Sequence, residues 1–248
     1  MTFHDHFSAV AGAYMRHRPR YPDALFSWLS GLLRERAAAW DVATGNGQVA
    51  IALAEHVERV IATDASSEQI EHAIRHERIT YLAEPAEHVS LPGDSVDLIT
   101  AGAAAHWFDL DAFYKEVRRV ARRGAVIALF SYGPRDFAGA IGPVVVDFEE
   151  ELLRSYWPER LELVHHRYAT IPFPFEELEA PPFVLRVEWT LDEAIQFLET
   201  WSAAQLYFAQ HGVRATSVIA GELERFWGDP NQRRVIECPL FMRVGRVE

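Results

Sequence analysis

The chain has little with which to brace itself covalently or anchor itself in a membrane. Cys238 is the single cysteine in 248 residues, which excludes an intramolecular disulfide and a cysteine-rich zinc site. Flanked by Glu237 and Pro239, it reads as a packed thiol rather than a nucleophile. No apolar run approaches membrane-spanning length, and the opening MTFHDHFSAV lacks the pattern of a secretory leader. The expectation is a cytoplasmic protein with no membrane partner. Positive charge is also short: 24 Lys and Arg against 36 Asp and Glu give a formal net charge of −12. That balance argues against a nucleic acid held through its phosphates, which calls for a basic face. His4-x-His6 and His165-His166 have no supporting cysteine or carboxylate pattern, so they read as solvated or packing histidines, with no metal implied. Internal repeats, low-complexity tracts and heptad arrays are absent as well.

What is present is an ordinary globular composition, 49% hydrophobic and 24% charged. The length suits one large α/β domain, or a core plus a cap. The chain is organised around residues 38–65. A short apolar run over 38–43 reads as a buried parallel strand. Thr44-Gly45-Asn46-Gly47 follows as a tight turn, where glycine permits positive φ and close approach of a ligand to bare backbone. Val49, Ala50, Leu53, Ala54 and Val57 then keep helical spacing. RVIAT over 59–63 is a second strand, closing on Asp64 at the carboxyl end, the end at which open α/β sheets bind ligands.

Two cofactor classes compete for this unit. Gly45-Asn46-Gly47-Gln48-Val49-Ala50 fits the dinucleotide fingerprint G-x-G-x-x-A, a weak signal by itself. Asp41 discriminates, because it lies inside the first strand, four positions before Gly45. A carboxylate there opposes an anionic pyrophosphate and favours a cofactor carrying an ammonium and a sulfonium. A turn serving only chain reversal is the plainer alternative.

Elsewhere a short helix is expected over 7–14, followed by the basic stretch Met15-Arg16-His17-Arg18-Pro19-Arg20-Tyr21-Pro22, placed near the ligand edge of the sheet. Pro22 can open a helix whose apolar face is Leu25, Phe26, Trp28, Leu29, Leu32 and Leu33. Ser66 or Ser67 can cap a helix to about residue 74. Strands are predicted over 78–82, 95–101 and 125–131, with a loop over 102–109 and an amphipathic helix marked by Leu110, Phe113, Val117, Val120 and Ala121. Five strands alternating with helices predict a doubly wound parallel sheet. Residues 133–181 are rich in aromatics and prolines. A strand over 183–190, helices to about 210 and over 217–227, and a last strand over 235–244 complete the chain. The division expected is a single domain over 1–248: N-terminal helices at 1–36, a cofactor-binding core at 37–132, a cap or insertion at 133–181, and a C-terminal hairpin with helices at 182–248.

These residues resemble the class I S-adenosylmethionine-dependent methyltransferases, and within them the small-molecule enzymes related to trans-aconitate methyltransferase. D-x-A-x-G-x-G-Q over 41–48 is similar to their first motif. FSAVAGAYMRHRPRYP, Ala86-Glu87, VDLITAGAAAHWFDLDAFYKEVRRV, Thr200-Trp201-Ser202-Ala203 and Cys238-Pro239-Leu240-Phe241-Met242-Arg243 extend the likeness over nearly the whole chain. The resemblance implies a Rossmann-like, seven-stranded α/β sheet with a helical cap. Its last strand is antiparallel and enters between the fifth and sixth, a place that 183–190 and 235–244 fit as a hairpin. It implies S-adenosyl-L-methionine as cofactor. Gly45 and Gly47, with Thr44 and Gln48 of the same loop, would approach its methionine part, and Asp41 its ammonium. Asp64 would take both ribose hydroxyls, Ala65 and Gln69 would border ribose and adenine, Ala86 and Glu87 would hold the adenine edge, and Ala101 and His106 would line the methyl-donor side. Two positions depart from the family: Ala43-Thr44 stand where glycine or cysteine is frequent, and Arg123-Gly124 replaces Pro-Gly-Gly.

Methyl transfer from a sulfonium asks chiefly for alignment in a dry pocket. A base is needed only for an acceptor that is protonated at working pH. His106 is the one obvious candidate base; the alternative is a histidine that donates a hydrogen bond and walls the cofactor beside Trp107. Tyr14 and Arg18 are placed to close over cofactor or acceptor. The acceptor expected is a small molecule, with O-methylation of a carboxylic acid favoured by the arginines of 16–20. A phenol or quinone precursor, a nicotinamide-dependent oxidoreductase on a similar fold and a non-catalytic cofactor-binding protein remain as alternatives. Oligomeric state is not legible.

Overall fold

Pro22 holds extended backbone (φ −68°, ψ 138°) and releases the chain into α1 (Asp23–Gly31), whose buried face is Leu25, Phe26, Leu29 and Ser30. This is the helix that the apolar spacing predicts. The computed structural model describes residues 20–133 and 141–248. The helix expected over 7–14, together with Tyr14 and Arg18, lies outside the described residues. After α1 comes β1 (Ala38–Val42), buried at every position, then α2 (Gln48–Ala54), β2 (Arg59–Asp64) and the short α3 (Ser67–Glu71). Ser66 caps α3 by accepting the Gln69 N–H at 3.3 Å. Then follow β3 (Ile79–Ala83), β4 (Val96–Gly102), a 3-10 turn over Ala105–Trp107, α4 (Leu110–Val120) and the 11-residue β5 (Ala121–Ser131).

The second half opens with α5 (Gly142–Asp147), which continues as one π-helical turn over Phe148–Leu152. Two 3-10 turns, Arg154–Tyr156 and Glu159–Leu161, lead into the four-residue α6 (Glu162–His165). Next are the two-residue β6 (Glu176–Glu177) and β7 (Val184–Trp189). The helices α7 (Leu191–Glu199), α8 (Ser202–His211) and α9 (Thr216–Trp227) precede β8 (Arg234–Pro239) and β9 (Phe241–Arg246).

Seven strands form one sheet in the order β3-β2-β1-β4-β5-β9-β6. The first five are parallel, and β9 runs antiparallel to both β5 and β6. The chain reverses direction of winding between β1 and β4, so the carboxyl ends of β1, β2 and β4 open onto one crevice, where such sheets bind ligands. Asp97 interrupts the apolar run of β4 for a structural reason. Its Oδ2 accepts the N–H groups of Ala37 and Ala38 at 3.0 Å each, and both its oxygens accept from Arg122 Nη1 at 2.9 and 3.0 Å. A buried carboxylate with that many donors is satisfied and ties the start of β1 to β5.

One strand assignment differs from expectation. The antiparallel last strand does enter between the fifth and sixth, but only as β9. The expected sixth strand, 183–190, pairs instead with β8 in a separate two-stranded ribbon, from Val184 with Pro239 to Trp189 with Arg234. The true sixth strand is β6, just after the Ile171-Pro172-Phe173-Pro174-Phe175 run. That run packs on α4: the Tyr114 phenol donates to the Pro172 carbonyl at 2.6 Å, and Phe175 lies 5.2 Å from the Tyr114 ring. Two prolines cannot donate to a ladder, so only the two residues beyond them pair, which is too short for alternation to mark. A Cβ on Gly245 would sit 2.8 Å from the Glu176 carbonyl oxygen, so β6 and β9 meet only because that residue is glycine. A second apolar core joins α5, α7, α8 and α9 to the ribbon around Phe148, Leu185, Trp201, Trp227 and Ile236. Cys238 is buried in it, with its Sγ 3.8 Å from the Gly133 carbonyl oxygen, a packed thiol as its neighbours suggested. Among the described residues no helix is long and apolar enough to cross a membrane.

Candidate active site

The turn between β1 and α2 holds three residues at positive φ: Ala43 at 51°, Gly45 at 56° and Gly47 at 89°. Gly47 is doubly constrained, because a Cβ there would fall 2.2 Å from the Tyr81 phenol oxygen, which is itself bonded to the Ile74 carbonyl at 2.7 Å. Ala43 takes the left-handed region without glycine's freedom, at a cost of about 1–2 kcal/mol. This explains why relatives are expected to carry glycine near this point.

Two carboxylates hold the turn. Asp64, at the end of β2, accepts the Gly45 N–H at 2.8 Å through Oδ2 and the Ser66 N–H at 2.9 Å through Oδ1. Asp41, within β1, is only 1% exposed. It accepts the Thr44 hydroxyl at 2.5 Å and the Thr100 hydroxyl at 2.8 Å. Burial pushes the Asp41 carboxyl from 3.8 up to about 7; the two threonine hydroxyls oppose this and the neighbouring Asp64 charge adds to it. A nearby cation would relieve that desolvation, so the donor set of this turn fits a cationic ligand and disfavours an anionic one.

The remaining expected residues gather on the same edge. Gln69 is buried, with its Oε1 3.9 Å from where a Gly45 Cβ would stand. Ala65 is exposed beside Asp64, and Gln48 is half-buried at the head of α2. After β3, Ala86 is buried, while Glu87 Oε1 accepts the Asp109 N–H at 2.9 Å and so couples this loop to the one after β4. Ala101 lies buried in β4 and His106 in the 3-10 turn beyond it. The expected cofactor residues therefore lie at or beyond the carboxyl ends of β1, β2, β3 and β4, where Asp64 is bonded to the glycine turn and Glu87 to the loop after β4. Tyr14 and Arg18 belong to residues that the structure does not describe.

Two residues were missing from the sequence-based set. Tyr168 Oη is 3.1 Å from His106 Nδ1, a contact across 62 positions that no local pattern signals. Tyr21 stands against the end of β4, its phenol oxygen 3.2 Å from where a Gly102 Cβ would lie and its ring edge-to-face with Phe130 at 4.9 Å. His165 and His166 serve neighbouring carboxylates: His165 Nε2 lies 2.9 Å from Glu149 and His166 Nε2 lies 3.6 Å from Glu162.

Comparison with known proteins decides which of the competing cofactor classes applies. The family model of a methyltransferase domain matches residues 40–129. A Dictyostelium discoideum protein named as a methyltransferase is 31% identical over 204 residues, covering 81% of this chain and 78% of its own. A solved structure described as a type II methyltransferase from Anaeromyxobacter dehalogenans is 43% identical with a TM-score of 0.86, over 93% of this chain and 98% of that one. The chain is a class I S-adenosylmethionine-dependent methyltransferase. A Saccharomyces cerevisiae protein named as an S-adenosylmethionine-dependent methyltransferase, 22% identical over 76% of this chain and 77% of its own, accords with that. The nicotinamide alternative falls away, and with it the dinucleotide reading of the glycine turn. In the methyltransferase the buried Asp41 and the strand-end Asp64 thus flank the glycine turn after β1.

Proposed function

We propose that this methyltransferase modifies a small molecule, and that its own residues hold S-adenosylmethionine as follows. Asp64 accepts the ribose hydroxyls through the lone pairs that its two backbone donors leave over. Asp41 faces the side of the turn taken by the ammonium, with Thr44, Gly45, Gly47 and Gln48 along the methionine part. Ala65 and Gln69 border ribose and adenine, Ala86 and Glu87 the adenine edge, and Ala101 and His106 the methyl. The bound cofactor supplies a methyl group already activated on a cationic sulfur. The observation that carries this reading is the placement of Asp41 and Asp64 on adjacent strand ends about the Gly45–Gly47 turn. Isothermal titration with S-adenosylhomocysteine and with NAD tests it; tight binding of NAD and none of S-adenosylhomocysteine would overturn it.

For the acceptor we favour a small carboxylic acid methylated on oxygen. Arg16, Arg18 and Arg20 crowd into five positions of a chain with net charge −12, and a guanidinium fork matches both oxygens of a carboxylate. A carboxylic acid, ionised above a pKa of about 4, needs no base, which accords with His106 having Nδ1 engaged by Tyr168. The narrower resemblance to trans-aconitate methyltransferase points the same way. Residues 141–170, with α7 to α9, are proposed to close over the carboxyl edge of the sheet, so hydrogen exchange there should slow when cofactor binds. A tritiated-methyl screen across small carboxylic acids, phenols and amines tests the acceptor class. Turnover confined to phenols or amines would overturn it.

A further inference from the structure

We propose that Tyr168 is a positioning residue that holds His106 in the tautomer protonated on Nε2, so that His106 serves methyl transfer as a hydrogen-bond donor and not as a base. This rests on the reading of His106 as lining the methyl-donor side.

The geometry around the phenol oxygen sets the direction of the bond. Tyr168 is fully buried and His106 is 6% exposed, so neither exchanges its partner for water. Besides His106 Nδ1 at 3.1 Å, the Tyr168 oxygen is faced by the Ser131 hydroxyl and by the backbone N–H groups of Ala105 and His106. The amide N–H groups can only donate. Burial also raises the phenol above its ordinary value, so it keeps its proton. With the two amide N–H groups facing its oxygen as fixed donors, that proton has two acceptors in reach, Nδ1 and the Ser131 oxygen, which itself donates to the Tyr132 carbonyl. It goes to Nδ1 because an imidazole nitrogen is a stronger base than a hydroxyl. A neutral imidazole accepting at Nδ1 carries its own hydrogen on Nε2. Nε2 is then a donor, and the basic nitrogen is turned toward a tyrosine rather than toward the acceptor.

The backbone is bent to make this contact. After α6, Arg167 and Tyr168 stand consecutively at φ 51° and 57°, a conformation that L-residues avoid and that folded chains keep where surrounding contacts enforce it. Those contacts are present. Arg243 on β9 donates through Nη1 to the Tyr168 and Ile171 carbonyls at 3.2 Å each, and its other nitrogens pair with Glu177 at 2.8 and 2.5 Å. The Tyr168 ring packs edge-to-face on Phe241 at 5.2 Å. Arg160 donates to the Trp107 carbonyl, fixing the turn that carries His106. Phenylalanine would fill the same space against Phe241, so the hydroxyl adds only its polar contacts, to the His106 ring, Ser131 and the two amides.

The test is long-range proton–nitrogen NMR on histidine-labelled protein, with the His106 signals among those of 11 histidines assigned by difference against His106→Asn. In the wild type Nε2 should carry the proton and Nδ1 should show as an unprotonated acceptor. In Tyr168→Phe the Nδ1 resonance should move and the tautomers should mix. Once an acceptor is in hand, kcat should fall about tenfold, the upper worth of one neutral hydrogen bond, with KM for the cofactor held. A wild-type His106 protonated on Nδ1 overturns the proposal, and so does an imidazole spectrum identical in Tyr168→Phe. A wild-type spectrum with the proton on Nδ1 overturns the proposal even if the variant does not fold. Absence of turnover with every acceptor would instead strike the reading of the site, because the tautomer is read without turnover.

Discussion

Asp64 Oδ2 accepts the backbone N–H of Gly45 at 2.8 Å, joining the end of β2 to the glycine turn after β1. The same carboxylate thus shapes the turn and is proposed to receive the cofactor's ribose. Replacing Asp64 by alanine is expected to weaken S-adenosylhomocysteine binding by about 1.5–3 kcal/mol, the worth of hydrogen bonds to a charged group. Calorimetry on the folded variant measures this, and unchanged affinity would refute the ribose role.

Asp41 is expected to make cofactor binding and stability depend on pH in opposite senses. Its folded carboxyl lies near 7 rather than 3.8, so between those values the native state holds a proton that the unfolded state has released. Stability of the cofactor-free protein therefore falls as pH rises through that window. Asp41→Asn should remove the loss and raise stability at pH 8 by roughly 2 kcal/mol, read from denaturant midpoints. A bound ammonium favours the ionised form, so S-adenosylhomocysteine affinity should climb as pH rises toward 7, with proton release detectable in buffers of different ionisation enthalpy. A flat profile in the wild type would sink this coupling.

Ala43 and Gly47 both favour glycine, so the two opposite exchanges there give opposite responses. Ala43→Gly relieves a left-handed alanine at φ 51° and should stabilise by about 0.5–1 kcal/mol after the entropy cost of glycine. Gly47→Ala drives a Cβ to 2.2 Å from Tyr81 Oη and should destabilise by roughly 2 kcal/mol. Adding Tyr81→Phe removes the clashing oxygen and should restore part of that loss. Thermal and urea unfolding of the three variants provide the check.

If the acceptor is a carboxylate, its methylation rate at saturating cofactor and acceptor should stay nearly flat from about pH 6 to 8. Arg18→Ala should raise KM for that acceptor by about tenfold or more, while His106→Ala lowers kcat without abolishing it. Full affinity in Arg18→Ala combined with no turnover in His106→Ala would show that a base, not a guanidinium, is what the acceptor requires.

The sequence by itself determined the central βαβ unit, because its signals are local. Hydrophobic periods, the positive-φ demand of Gly45 and Gly47, and an acid in or at the end of each strand all fall within residues 38–65, so the cofactor class was legible there. The same holds for Pro22 ahead of α1 and for the amphipathic α4. Tertiary structure alone decided which distant segments meet. Nothing in Val184–Trp189 distinguishes a sheet strand from a ribbon strand; its pairing with β8 was settled by which partner the second core left available. A two-residue β6 carries no period at all, and its place depends on the close approach allowed at Gly245. Asp97 is accommodated in the apolar β4 only because the N–H groups of Ala37 and Ala38 and the Arg122 guanidinium surround it. Tyr168 reached His106 through a strained reversal held by Arg243, from the far end of the chain. Periodicity reports burial of a segment's own face, whereas hydrogen-bond geometry between segments exists only after the chain has closed on itself.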